Sequence, residues 1–159
     1  MKKPVDETLQ GFTIQPMEAN HLAEVALIAA SFPLTAWTQR MFAEEMKNAF
    51  SHCFVAKTYG ASTRQIVGFI CFRLIGQESE LLNLGVRPQY RRQSAGRRLM
   101  RFYINFSKKK GIKRFYLDVD SSNEPALRLY QSFCYTPSGM RKNFYGGNTD
   151  ALLMTKLEA

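Results

Sequence analysis
Between residues 51 and 86 the chain gives up helical periodicity for three successive strand-like runs, and this constrains the fold more than any other feature. His52-Cys-Phe-Val-Ala-Lys57 and Gln65-Ile-Val-Gly-Phe-Ile-Cys-Phe-Arg-Leu74 are rich in β-branched and aromatic residues, with a loop containing Gly60 between them. A turn around Gly76 leads into Ser79-Glu-Leu-Leu-Asn-Leu-Gly-Val86. Three such runs in a row predict an antiparallel meander. Ahead of it, Phe12-Thr-Ile-Gln-Pro16 reads as a short strand, and residues 18–30 place Leu22, Val25, Ala26 and Ala29 on one helical face. Thr38 is suited to cap a second helix with Met41, Phe42, Met46, Ala49 and Phe50 as its apolar stripe.

After Val86 comes a polar loop and then a helix with Leu99, Phe102, Tyr103 and Phe106 on one side. Lys108, Lys109 and Lys110 complement its dipole in the last turn, and Gly111 can stop it. Residues 112–120 supply another strand. Ser122 or Asn123 can cap the next helix, where Pro125 suits the first turn and Leu127, Tyr130 and Phe133 recur at helical spacing. Apolar and aromatic residues around 140–145, a Gly146-Gly147-Asn148 turn and a strand over 151–157 close the chain. Strands and helices alternate around one mixed sheet, an α/β (α+β) arrangement. With 159 residues, 45% of them hydrophobic, a single domain over 1–159 is expected, with 1–11 loosely ordered.

The formal charge of +9 is unevenly placed. Residues 87–114 hold 11 of the 22 basic side chains, and no acid lies between Leu81 and Leu117. The remainder carries 11 basic residues against all 13 acids. One segment therefore holds the whole excess, which suits an anionic partner, nucleic acid or a phosphorylated small molecule, and equally a solvated helix face. Cys53, Cys71 and Cys134 show no C-x-x-C spacing and read as reduced, packed thiols. With only His21 and His52, no metal site is expected and a serine or cysteine triad is disfavoured. No apolar run approaches the roughly 20 residues that span a bilayer, and the polar start lacks a signal peptide, so a cytoplasmic protein without membrane partner is expected.

A loop entering a helix presents unpaired N–H groups at the positive end of the dipole, and small residues let a phosphate approach them. Here Ser94, Ala95 and Gly96 are the small residues, flanked by Arg91, Arg92, Arg97 and Arg98 as cationic donors. The loop has neither the Lys-Ser/Thr ending of a P-loop nor dinucleotide-fingerprint spacing. On its own it is equally an ordinary basic turn.

Arg91-Arg-Gln-Ser-Ala-Gly96 resembles the Q/R-x-x-G-x-G/A acetyl-CoA loop of the GCN5-related N-acetyltransferases, and Leu82-Asn-Leu-Gly-Val86 resembles their central strand. Tyr116-Leu-Asp-Val119, Ser122-Asn123 and Ala126-Leu-Arg-Leu-Tyr130 are similar to the W-L-E-V, S-N and A-x-x-L-Y elements of the bacterial ribosomal protein alanine N-acetyltransferases, the RimI type. Arg141-Lys-Asn-Phe-Tyr145 and Asp150-Ala-Leu-Leu-Met154 resemble that group's R-x-N-Y-Y and D-A-x-x-M ending. The resemblance runs from about residue 12 to residue 157.

It implies a central mixed, mostly antiparallel sheet flanked by about four helices, with a V-shaped split at the acetyl-CoA site. Main-chain groups of Leu84, Gly85 and Val86 would pair with pantetheine, with Gly85 easing a bulge or close approach. The amides around Arg91, Arg92, Gln93, Ser94, Ala95 and Gly96 would hold the pyrophosphate, and Asn123 would contact the cofactor. Asp118 aligns with the family's glutamate base and Tyr130 with the tyrosine that protonates the thiolate; Phe144 and Tyr145 would grip the acceptor. By chemistry alone, Asn123 reads as a helix cap, Tyr130 as a core aromatic, Asp118 as a strand-end carboxylate and Phe144 and Tyr145 as hairpin packing. Three departures stand out. Ser94 replaces the loop's first glycine, Asp118 is a methylene shorter than glutamate, which leaves Asp120 as an alternative base, and Cys134 replaces a helix-ending glycine. The implied reaction is acetylation of a protein N-terminal α-amine, such as the N-terminal alanine of a small-subunit ribosomal protein. The alternatives are a lysine or small-molecule amine as acceptor, and a basic RNA-binding module; no nucleic-acid motif supports the latter as the primary role.

Overall fold
The computed structural model describes residues 11–32, 36–58, 65–91, 94–145 and 148–158. Residues 1–10, where loose order is expected, lie outside the described residues, as do Gly60, Arg92, Gln93, Gly146 and Gly147. Strands β1 (Phe12–Pro16), β2 (Ser51–Thr58), β3 (Ile66–Ile75) and β4 (Glu78–Val86) pair antiparallel in chain order, and β5 (Arg114–Asp120) joins β4 in parallel. Antiparallel β6 (Thr136–Arg141) and β7 (Ala151–Leu157) complete a seven-stranded sheet, with β7 between β5 and β6. The sheet is thus mixed and mostly antiparallel, as expected.

Helices α1 (Leu22–Ala29) and α2 (Gln39–Met46) cover one face, where Val25, Ile28, Ala29 and Phe42 pack on Val55, Ile66, Phe69 and Cys71. On the other face, α3 (Ala95–Lys109) and α4 (Glu124–Ser132) place Leu99, Met100, Tyr103 and Tyr130 against Ile70, Phe72, Leu81, Phe115 and Leu117. β3 runs between the two layers and is buried from Ile66 through Phe72, as its near-continuous apolar run requires. Each fully buried aliphatic or aromatic side chain contributes about 1.5–3 kcal/mol, so the two layers hold the sheet firmly along β3 and β4.

Several local expectations are corrected. Thr38 caps α2 by accepting from the Met41 N–H at 3.2 Å, but the helix stops at Met46, so Ala49 and Phe50 lie beyond it and Phe50 is exposed. The Asn48 side chain takes the Phe50 N–H at 2.8 Å and turns the chain into β2. In α1 it is Ile28, with Val25 and Ala29, that enters the core; Ala26 is only partly covered. β6 had no periodic signal because it is an edge strand with nearly every side chain exposed, where Pro137 is tolerated. Cys134 is exposed, not packed, and adopts φ of 70° at the end of α4. There the Tyr135 N–H reaches the Tyr130 carbonyl at 3.1 Å and the Cys134 N–H the Gln131 carbonyl at 2.9 Å, the glycine-type stop built with a cysteine.

Candidate active site
The site begins with one extra residue. Opposite Cys71 and Phe72 of β3, strand β4 supplies Asn83 and Leu81, so Leu82 is bulged out of the ladder. The parallel pairing of β4 with β5 covers residues 78–81 against 114–117 and ends at that bulge. Beyond it β4 stays with β3, while residues 118–120 of β5 stay with β7. The strands separate into a cleft of about 520 Å³. The Arg87 N–H bonds to the Val67 carbonyl on β3, so by strand alternation Gly85 also faces β3. Leu84 and Val86 turn their main-chain groups into the gap, where Arg91 Nε donates to the Val86 carbonyl at 3.3 Å. The bulge is therefore at Leu82, not Gly85. Glycine is needed at position 85 for packing: a Cβ there would stand 2.5 Å from Cε1 of the Phe69 ring.

The N-terminus of α3 forms the cleft's next wall. Ser94 precedes it with φ of 67°, a left-handed conformation that a glycine adopts freely, and its side chain makes no capping bond. The first intrahelical bond runs from the Arg98 N–H to the Ser94 carbonyl at 2.9 Å, leaving the preceding N–H groups without helical partners. Ala95 is buried beside them, and Gly96 lies where a Cβ would make only ordinary contact with Leu129 and Val86. The flanking cations divide. Arg91 lies 4.5 Å above the Phe32 ring and donates to Ser31 Oγ at 3.1 Å, and Arg97 lines the cleft 5.5 Å from the Phe133 ring. Arg98 is buried against Phe12 on the core face and does not flank the loop.

Asn123 both lines the cleft and caps α4, accepting from the Ala126 N–H at 3.2 Å. Tyr130 is buried at the cleft wall, its ring 5.9 Å from that of Tyr135, and burial, reinforced by Tyr145, holds its phenol well above the ordinary range. Tyr145 also faces the cleft, its phenol pushed up to about 12 by burial and by the carboxylates of Asp118 and Asp120. Phe144 is not brought in: it is half exposed, edge-on to Tyr145 at 5.1 Å and under the Arg141 guanidinium. Asp120 is occupied by the turn into α4, where it accepts from the Ser122 N–H and Oγ at 2.9 and 2.7 Å. The Asp118 carboxylate makes no hydrogen bond or ion pair among the described residues.

A second cavity, of about 590 Å³, opens on the α1–α2 face between β4, β5 and β7. Among the described residues, Asp118 is the one that lines both it and the cleft.

Residues 22–134 match the model of the acetyltransferase (GNAT) family. The chain belongs to that family. A Bacillus subtilis relative is 32% identical over 89% of this chain and 92% of its own length, and its name provisionally makes it a ribosomal protein bS18-alanine N-acetyltransferase. An Escherichia coli relative with that name is 26% identical over 89% of this chain and 95% of its own. The crystal structure of the ribosomal-protein-S18-alanine N-acetyltransferase from Escherichia coli superposes with a TM-score of 0.80 at 27% identity, covering 92% of this chain and 93% of that one.

This chain is accordingly an acetyl-CoA-dependent N-acetyltransferase. Its cleft suits the co-substrate: main-chain groups of Leu84 and the Val86 N–H face it for an extended amide-bearing arm, and N–H groups without helical partners beside small side chains at the α3 end suit phosphates. No helix among the described residues is long and apolar enough to cross a membrane, and no cluster of three or more His, Cys, Asp or Glu is arranged for a metal. Apart from Asp118, sequence reasoning missed the wall of the acetyltransferase's second cavity, notably Glu80, Tyr116, Arg73 and Arg141. The one available signal was Glu78 and Glu80 alternating at the start of a strand whose second half is mostly apolar.

Proposed function
We propose that the acetyl acceptor is the α-amine of a protein N-terminus, specifically the N-terminal alanine of a ribosomal protein. The observation that carries this is the meeting of two cavities at Asp118: an acceptor threading the second cavity from the α1–α2 face reaches the cofactor cleft only there. An extended chain end fits such a channel, and the names of the two relatives given above describe that reaction. In this reading one domain spans residues 1–159 and works in the cytoplasm, with neither a membrane nor nucleic acid as its primary partner.

Bound acetyl-CoA supplies an activated thioester. The chain's own residues then have distinct tasks. Leu84 and Val86 hold the pantetheine arm through their main chain, Gly85 keeps that stretch of β4 seated on Phe69, and Asn123 contacts the cofactor while it caps α4. The amides of Ser94, Ala95 and Gly96 with Arg91, and with Arg92 and Gln93 of the same loop, hold the pyrophosphate. Asp118 takes the proton of the incoming ammonium, directly or through a water. An α-amine, with a pKa of about 7.7–8.0, needs far less help than a lysine at about 10.4. Asp118 has its carboxylate uncommitted, whereas Asp120 is tied to Ser122, so Asp118 is the base. Tyr130, kept protonated by burial, hands its proton to the departing thiolate. Tyr145 closes over the acceptor beside the two aspartates, and Phe144 supports it from outside.

The test uses a synthetic peptide with N-terminal alanine and one internal lysine, beside the same peptide blocked at its α-amine. Mass spectrometry after incubation with acetyl-CoA should find one acetyl group, on the α-amine of the free peptide alone. Faster modification of the blocked peptide would overturn the N-terminal assignment.

A further inference from the structure
The second cavity has a charge that the catalytic roles above do not use. Glu80 projects from β4 on the same face as Asp118 of β5; it is paired in register with Tyr116, so Asp118 stands two residues further along the neighbouring strand. With strands about 4.8 Å apart and a rise of about 3.3 Å per residue, the two Cα atoms are on the order of 8 Å apart. The other charges of this wall are committed. Arg73 makes a two-pronged bond to Glu45, both contacts 2.7 Å, and Glu78 pairs with Arg114 at 3.1 Å. Arg141 lies 5.3 Å from the centre of the Phe144 ring. The Glu80 side chain has no ion pair or hydrogen bond among the described residues. Burial, then the Asp118 carboxylate, raises its proton affinity, with Arg73 and Arg141 pulling the other way at longer range. Glu80 lines this cavity from an exposed position on β4, and a carboxylate there with no side-chain partner gains from a cation that arrives with the ligand.

We propose that Glu80 is a specificity-determining residue, binding the cationic side chain of the acceptor's second residue. This deepens the N-terminal reading and rests on it. An extended acceptor whose α-amine is at Asp118 places its first side chain beside the amine. Its second residue lies about 3.3 Å further along, within reach of Glu80 for a long Arg or Lys side chain. Ile75, Tyr116 and Leu153 line the same cavity and offer apolar surface to the aliphatic stem of that side chain. An acidic second residue would meet both Glu80 and Asp118 and be repelled.

The experiment compares three peptides with a free N-terminal alanine that differ only in having Arg, Gln or Glu second. For the unmodified enzyme, kcat/KM should fall in that order, with Arg about tenfold above Gln and the difference in KM. Glu80→Gln should bring the Arg-to-Gln ratio within twofold, and Glu80→Lys should make the Glu peptide the best of the three. Circular dichroism of each variant checks that it is folded. Equal kcat/KM on all three peptides, or an Arg-to-Gln ratio that survives in Glu80→Gln while kcat falls alike for all, overturns the role of Glu80 and leaves N-terminal acetylation standing. If none of the three is acetylated, the N-terminal reading itself fails, and the role of Glu80 with it.

Discussion
Gly85→Ala tests whether the cleft's geometry is set by packing beneath it. The added Cβ would lie 2.5 Å from Cε1 and 2.9 Å from Cζ of Phe69, inside any real contact distance. The obstacle is a ring, and that ring cannot swing away. Phe69 is fully buried and its other side meets Phe42 edge-on at 5.1 Å, with Phe42 in turn against Trp37. Either β4 lifts away from β3 or the Phe42 layer shifts, and overpacking of this kind costs about 1–3 kcal/mol. For a chain of this size each kcal/mol is worth about 2–4 °C in melting temperature. Gly96→Ala is the matched control, because its Cβ would meet Leu129 at 3.5 Å and Val86 at 3.8 Å. In that helical position alanine should be neutral or stabilising by up to about 1 kcal/mol. Urea denaturation of Gly85→Ala, Phe69→Leu and the double variant then forms a cycle. The double variant should be more stable than the sum of the single losses by at least about 1 kcal/mol, because the smaller side chain vacates the space the methyl needs. A Gly85→Ala protein within about 0.5 kcal/mol of the parent, or strictly additive losses, would refute the reasoning.

Four further outcomes are expected. Asp118→Asn should lower kcat/KM by about 100-fold or more, while Asp120→Asn, whose amide oxygen can still accept from Ser122, should lower it less than about threefold; the reverse ranking in initial-rate assays would reassign the base. In a pH profile, kcat/KM should rise as the acceptor amine deprotonates near pH 8 and stay level to pH 10, because the Tyr130 phenol is held high and that of Tyr145 is near 12; a falling limb centred below pH 10 would contradict that. Cys134→Gly and Ser94→Gly should each raise stability by roughly 0.5–1 kcal/mol in denaturant titrations, since both residues hold a Cβ in the left-handed region. His52 is held below its ordinary value by burial and then by Lys110, so the unfolded chain takes up the proton first as pH drops below about 6.5; stability should be flat above that pH and fall below it, and His52→Phe should flatten the slope seen in melts at pH 7.5 and 5.5.

The elements with a strong internal period were legible before the fold was known. β3, covered on both faces, reads as an unbroken apolar run, and α3 carries its stripe of Leu99 and Tyr103 toward the sheet. What was not legible depends on relations between distant residues. The bulge at Leu82 is a property of register against β3, and no local pattern distinguishes that leucine from Leu81 or Leu84. Arg98 belongs to a basic run in sequence, yet helical geometry turns it to the core face over Phe12, away from the loop that Arg91 and Arg97 border. Tyr145 and Phe144 are adjacent and aromatic, and only the path of the chain after β6 decides that one faces the cleft and the other solvent. The significance of Glu80 lies in the cavity it shares with Asp118, a residue 38 positions away in sequence on the neighbouring strand.

The concentrated basic charge takes on a different meaning once its contacts are followed. Arg87 bridges to Glu24 at 2.7 Å and also donates to the Ile66 carbonyl, tying the end of β4 to α1. Arg91 is spread over Phe32, and Arg98 is buried against Phe12. At the far end of α3, Lys108 meets Glu158 at 3.0 Å, Lys110 approaches the Phe106 ring, and Arg114 pairs with Glu78. Much of the excess is thus spent inside the fold, fastening both ends of α3 and the strands beside it. Of the aromatic residues in the same segment, Phe102, Tyr103 and Phe106 pack inward against Phe54 and Phe72, and Tyr90 meets Phe12 edge-on. On the proposed reading, the phosphates of the cofactor would rely on main-chain N–H groups at the start of α3, helped by a few cations at the rim of the cleft. Backbone donors tolerate the replacement of the loop's first glycine by Ser94, because they are set by the helix axis and by the left-handed turn that Ser94 still makes.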